Sequence, residues 1–138
     1  MKEQEEIIIA ITDLEEKSGY NHMAGYKVIT NKQEIKLMID NESGCCERWG
    51  WFWCNENPQD YVGAELKDIK LVNEALSPEI MKKNELDPNQ KYFEGGVCYV
   101  NLETSKGMLQ FVAYNEHNGY YGHEAKIIST QLNHEETL

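Results

Sequence analysis

The strongest constraint on this chain is a period of two. From Gly25 onward, runs in which apolar and polar residues alternate are separated by clusters of Gly, Pro, Asn, Asp and Ser. Successive strand residues face opposite sides of a sheet, so such runs require strands with one dry face and one wet face. Residues 26–30 and 34–39 flank Asn31-Lys32-Gln33, with Ile35, Leu37 and Ile39 alternating, and residues 97–104 and 108–114 form a second hairpin around Ser105-Lys106-Gly107. Residues 48–54 hold all three tryptophans, residues 65–72 alternate less regularly, and a last strand is expected near 124–129. Residues 77–96 carry two of the three prolines and a Gly-Gly pair, and read as an excursion from the sheet with one helical turn.

The N-terminal stretch reads differently. Ile7, Ile8, Ile11 and Leu14 fall at i, i+1, i+4 and i+7, one face of a helix, although three consecutive isoleucines favour a strand locally. The expected fold is therefore α+β, as one domain over residues 1–138. An N-terminal helix within residues 1–20 packs on a curved, mainly antiparallel sheet of about six strands. The β-rich core spans residues 25–129, and residues 130–138 form a frayed tail.

Charge excludes several functions. Twenty-four acidic residues against thirteen basic ones give a net charge of −11. That balance argues against a general DNA or RNA binder and against an anionic membrane surface, both of which need Lys and Arg. Arg48 is the only arginine, so one chain cannot build a multi-arginine phosphate clamp. The apolar run at residues 7–11 is too short for a signal peptide or a membrane span. The protein is read as cytosolic, with its cysteines reduced.

Two clusters could carry chemistry. Cys45 and Cys46 are adjacent, Cys54 follows eight residues later, and His117 and His123 bracket a polar loop. Three thiolates and one imidazole can complete a tetrahedral zinc site, so a structural zinc on Cys45, Cys46, Cys54 and His123 is expected, with His117 the lesser choice. The spacing is not C-x2-C, and the bland alternative leaves these side chains in the core or on the surface. Cys98 shares a strand face with Val100 and Leu102 and reads as a buried thiol. No nucleophile-elbow, zinc-protease, phosphate-loop or dinucleotide motif is present, so the protein is read as a non-enzyme. In the second cluster, alternation puts Trp49, Trp51 and Trp53 on one face and Phe52 on the other. Such a face serves either as core or as an anchor patch with Arg48.

Gly44-Cys45-Cys46-Glu47, the segment Tyr61-Val62-Gly63-Ala64-Glu65-Leu66, and above all Glu116-His117-Asn118-Gly119-Tyr120-Tyr121 resemble a family of small phage and prophage proteins of unknown function. The resemblance covers about residues 26–128 and leaves the N-terminal segment outside. Family members carry Arg-Trp-Tyr where this chain has Val112-Ala113-Tyr114. The resemblance implies a phage origin and no established reaction. With the acidic charge, it points to a phage counter-defence inhibitor that binds a basic host protein, an RNA-guided CRISPR nuclease being the expected partner. The contact candidates are Glu3, Glu5, Glu6, Asp13, Glu15 and Glu16 on the N-terminal segment, together with Arg48, Trp49, Trp51 and Trp53. One alternative is a sponge for a nucleotide immune signal, stacking a base on Trp51, Tyr120 and Tyr121; another is a structural phage protein. The blandest reading is that the charge only maintains solubility.

Overall fold

The computed structural model describes residues 5–18, 21–41, 48–86, 95–116 and 123–138. Nine strands lie among them: β1 (Ile8–Ser18), β2 (Asn21–Thr30), β3 (Glu34–Asp40), β4 (Arg48–Trp53), β5 (Leu66–Val72), β6 (Gly95–Thr104), β7 (Gly107–Glu116), β8 (Glu124–Ile128) and β9 (Asn133–Thr137). A 3-10 turn at Pro58–Tyr61 and one short helix, α1 (Pro78–Lys83), complete the elements. Every strand pairing is antiparallel, in a five-stranded sheet ordered β1-β2-β3-β8-β9 and a four-stranded sheet ordered β4-β7-β6-β5. The α+β expectation with about six strands in one sheet is thus corrected to a nearly all-β architecture of two sheets.

Among the described N-terminal residues, 5–18, there is a strand and no helix. Ile8 pairs with Thr30 and Ala10 with Ile29, so β1 holds one extra residue there, a bulge. A bulge reverses which side chains face in. Ile8 and Ile11, an odd number of positions apart, therefore both reach the core. The helical spacing was a bulged strand. The C-terminal segment is not frayed either: β9 pairs with β8 along its length, and Leu138 is buried.

The inner faces share one core, with Val28, Ile35, Leu37, Ile39 and Ile127 from one sheet against Val100, Leu102, Leu109 and Phe111 from the other. Tyr26 stacks on Trp53 across this interface at 4.7 Å between ring centroids, and Phe111 meets both rings edge-on. A second cluster covers the outer face of the four-stranded sheet, where Ile80, Met81 and Leu86 pack on Phe52, Tyr99 and Val112. The two sheets are also stitched along one seam. Ile8 donates to the Ala64 carbonyl at 2.9 Å, Gly63 donates to that of Ile8 at 2.7 Å, and Leu66 donates to that of Glu6 at 2.7 Å.

Local sequence explains α1. The Ser77 hydroxyl accepts from the Ile80 amide at 3.3 Å as N-cap, and Pro78 begins the helix. The helix ends with Glu85 in the left-handed region at φ 59°, while Glu85 and Leu86 donate to the Lys82 and Met81 carbonyls. That is the Schellman arrangement, with glutamate where glycine is usual.

Candidate functional site

The end of β3, the starts of β4 and β8 and the end of β7 meet at one pole of the sandwich. Arg48 pairs with Glu116, and Trp49 stacks on His123 at 4.4 Å between centroids. Cys45, Cys46, His117, Tyr120 and Tyr121 lie outside the described residues, as does Glu3.

The described floor of the pole is polar and ordered by specific bonds. His123 is buried, and its Nδ1 lies 2.8 Å from the Asp40 carbonyl. A carbonyl can only accept, so Nδ1 is the donor in this bond. Trp49 Nε1 donates to Asn41 Oδ1 at 3.1 Å, and Asn115 Nδ2 donates to the Leu138 carbonyl at 3.0 Å. Beside them Arg48 spreads its guanidinium: Nε and Nη2 bond Glu116 Oε2 at 2.9 and 2.8 Å, Nη1 bonds the Asn84 carbonyl and Nη2 that of Glu85. Arg48 also lies over the Tyr114 ring, 5.2 Å from its centroid. Its donors meet the two carbonyls just past the end of α1 and so tie that turn to β4. Burial pushes the Tyr114 hydroxyl above its ordinary pKa of 10.0, with Arg48 opposing.

The expected zinc ligands do not all converge. Cys54 sits on the outer face of the four-stranded sheet, exchanging hydrogen bonds with the Ser77 main chain at 3.3 and 3.4 Å. His123 sits on the inner face against Trp49, roughly 16 Å of strand away at 3.3 Å per residue. Burial raises the pKa of both Cys54 and Cys98, which keeps these thiols protonated. Among the described residues no group of three or more His, Cys, Asp or Glu side chains could hold a metal ion.

The tryptophans face inward. Trp53 belongs to the shared core, and Trp49 and Trp51 are half-buried against it. The acidic contact candidates have diverse surroundings. Glu6 is buried and accepts from Thr30 Oγ1 at 2.7 Å, Gln33 Nε2 at 2.8 Å and Gln131 Nε2 at 3.0 Å. Glu16 pairs with Lys36 at 2.6 Å, and Glu15 with His22 at 3.0 Å and Lys17 at 3.3 Å. The bonds from Lys17 hold the exposed Glu15 carboxyl below its ordinary pKa, and His22 adds to them. Glu5 and Asp13 are exposed. Sequence reasoning missed the buried role of Glu6, and it missed Gln110. That side chain bonds Asn101, the Glu74 carbonyl and the Leu76 amide, and so fixes residues 73–76 beside a shallow groove of about 630 Å³. An amide inside the apolar run from Leu109 to Ala113 was the available signal.

Among the described residues no helix is long and apolar enough to cross a membrane. No curated protein and no solved structure matches the chain. Residues 5–127 match a family described as Domain of unknown function (DUF7448). The match takes in β1, which the motif resemblance had left outside. By that match over most of its length, the chain belongs to the DUF7448 family.

Proposed function

We propose that the protein is a non-catalytic, stoichiometric inhibitor that binds a basic host protein in the bacterial cytosol, and that its partner is an RNA-guided CRISPR nuclease. One observation carries the reading: folding does not neutralise the acidic excess. Lys17, Lys27, Lys36, Arg48, Lys70 and Lys126 are ion-paired with carboxylates of the same chain. Each pair cancels one charge of either sign, so the difference between 24 acidic and 13 basic residues remains whole. Glu6 is buried with neutral partners, whereas Glu5, Asp13, Glu15, Glu56 and Asp60 stay exposed. Clefts that hold nucleic acid are lined by Lys and Arg, and an array of surface carboxylates competes with phosphates for those side chains. The phage-like motifs favour a host-defence target.

The test is target-DNA cleavage by a guide-loaded nuclease with the protein at several-fold molar excess. Cleavage should fall, and inhibition should weaken as salt rises, because exposed charges are screened within about 8 Å at physiological ionic strength. Unchanged cleavage together with no binding to the nuclease overturns the reading.

A further inference from the structure

We propose that the free edge of β1 is a docking strand for an extended basic segment of the partner, which adds to the five-stranded sheet by main-chain pairing. This inference rests on the acidic-inhibitor reading and deepens it by naming the surface.

Hydrogen-bond parity identifies the edge. Gln59 Nε2 donates to the Ile11 carbonyl at 2.9 Å, on the same side of β1 where Ile8 bonds Gly63 and Ala64. Backbone groups of alternate strand residues point to opposite neighbours, so Asp13, Glu15 and Lys17 turn their N–H and C=O groups away from β2. Among the described residues no main-chain or side-chain group meets those three backbones on that side. Natural sheets seldom leave such an edge uncovered without a device that limits pairing.

The device here is selective. Asp13 and Glu15 occupy successive positions on one face, opposite Tyr26 and Ala24 of β2. A second copy of β1 laid antiparallel about Glu15 would set Glu15 against Glu15, which is unfavourable at cross-strand distances of about 5 Å, although Asp13 would then meet Lys17. A strand with Lys or Arg at alternate positions would instead place its cations opposite Asp13 and Glu15 while its backbone satisfies the open groups. Ile9, the most exposed large apolar side chain among the described residues at 55%, lies at the head of the same edge and offers an apolar anchor.

The probe is a synthetic peptide of about nine residues alternating lysine with valine, compared with one carrying the same residues as a lysine block followed by a valine block. Binding is read by NMR, together with hydrogen exchange at the amides of Asp13, Glu15 and Lys17. The alternating peptide should bind roughly tenfold tighter than the block peptide and protect those three amides. Glu15→Pro removes an outward N–H without breaking the β1–β2 ladder, since proline is tolerated on sheet edges. It should weaken binding by roughly tenfold or more. Lys17→Pro serves the same purpose if Glu15→Pro does not fold. Equal binding of the two peptides, unprotected amides, or full binding by a folded proline variant overturns the inference. If the parent protein inhibits the nuclease and the folded proline variant inhibits it equally well, the edge is wrong and the inhibitor reading stands. If the parent neither binds nor inhibits, the inhibitor reading itself has failed.

Discussion

Trp49 and His123 lie ring on ring, 19° from parallel, and each also holds one of two adjacent residues at the end of β3. Trp49 donates to the Asn41 side chain and His123 to the Asp40 carbonyl, so the stack fastens the start of β4 and the residue before β8 to the same strand end. His123→Ala removes the stack and the bond together and should cost about 2–3 kcal/mol. His123→Phe keeps a ring on Trp49 and should cost about 1 kcal/mol. Urea unfolding midpoints separate the two.

Glu6 joins the entry to β1, the β2–β3 turn and the β8–β9 turn through Thr30, Gln33 and Gln131. Glu6→Ala leaves those donors without their acceptor and should cost about 2–3 kcal/mol, whereas Glu6→Gln should cost about half as much. A surface contact residue would show neither loss. Thermal unfolding of the two variants distinguishes the roles.

Gly25 admits no side chain. A Cβ there would lie 1.9 Å from the Leu37 carbonyl oxygen, a main-chain atom held in the β2–β3 ladder. At Gly50 the nearest obstacle is the Tyr114 hydroxyl, 2.8 Å away at the far end of a side chain. Gly25→Ala should destabilise by about 3 kcal/mol or more, and Gly50→Ala by about 1 kcal/mol. Denaturant titration of both gives the comparison.

Glu85→Gly should stabilise the protein by about 0.5–1 kcal/mol, because glycine adopts a positive φ without the cost a Cβ brings. Nothing is lost in exchange on the Arg48 side, since Arg48 binds the main-chain carbonyl of Glu85 rather than its carboxylate. A lower urea midpoint than that of the parent would contradict this.

Alkaline pH should destabilise the fold in a defined window. Burial pushes the Tyr26 hydroxyl from 10.0 up to about 12, with Asp13 adding to the shift. Above pH 10.0 the unfolded chain releases this proton while the folded chain keeps it until about 12, so stability falls across that interval. The raised thiols of Cys54 and Cys98 act in the same direction. Tyr26→Phe keeps the ring on Trp53 and should flatten the decline of the unfolding midpoint between those pH values.

The strands with undisturbed alternation were legible in the sequence. Ile35, Leu37 and Ile39 announce β3, and the hairpin around Gly107 follows from its turn chemistry, with that glycine at φ 124°. Two strands were not legible, for opposite reasons. β1 carries a bulge, and one inserted residue turns a period of two into steps of three that imitate a helix. β9, Asn-His-Glu-Glu-Thr, lies at a sheet edge with no apolar residue to reveal its phase; its pairing with β8 and ion pairs such as Lys126–Glu135 place it. The acidity of residues 13–16 was visible in advance. The exposed edge was not, because hydrogen-bond parity depends on where the bulge falls.

The pairing of β3 with β8 has a consequence for how the protein is made. Eighty-five positions separate Asp40 from Ala125, so β3 is synthesised long before the strand that covers its second edge. At roughly 5–20 residues per second the ribosome needs about 4–17 s to supply it. During that interval the N-terminal hairpin has one side of Ile35, Leu37 and Ile39 open, with Lys36 the only charge between them to discourage a foreign strand. A nascent chain held in that state is a substrate for chaperones that shield extended apolar segments. Slowing translation between residues 40 and 125 should lengthen their occupancy and raise the aggregated fraction.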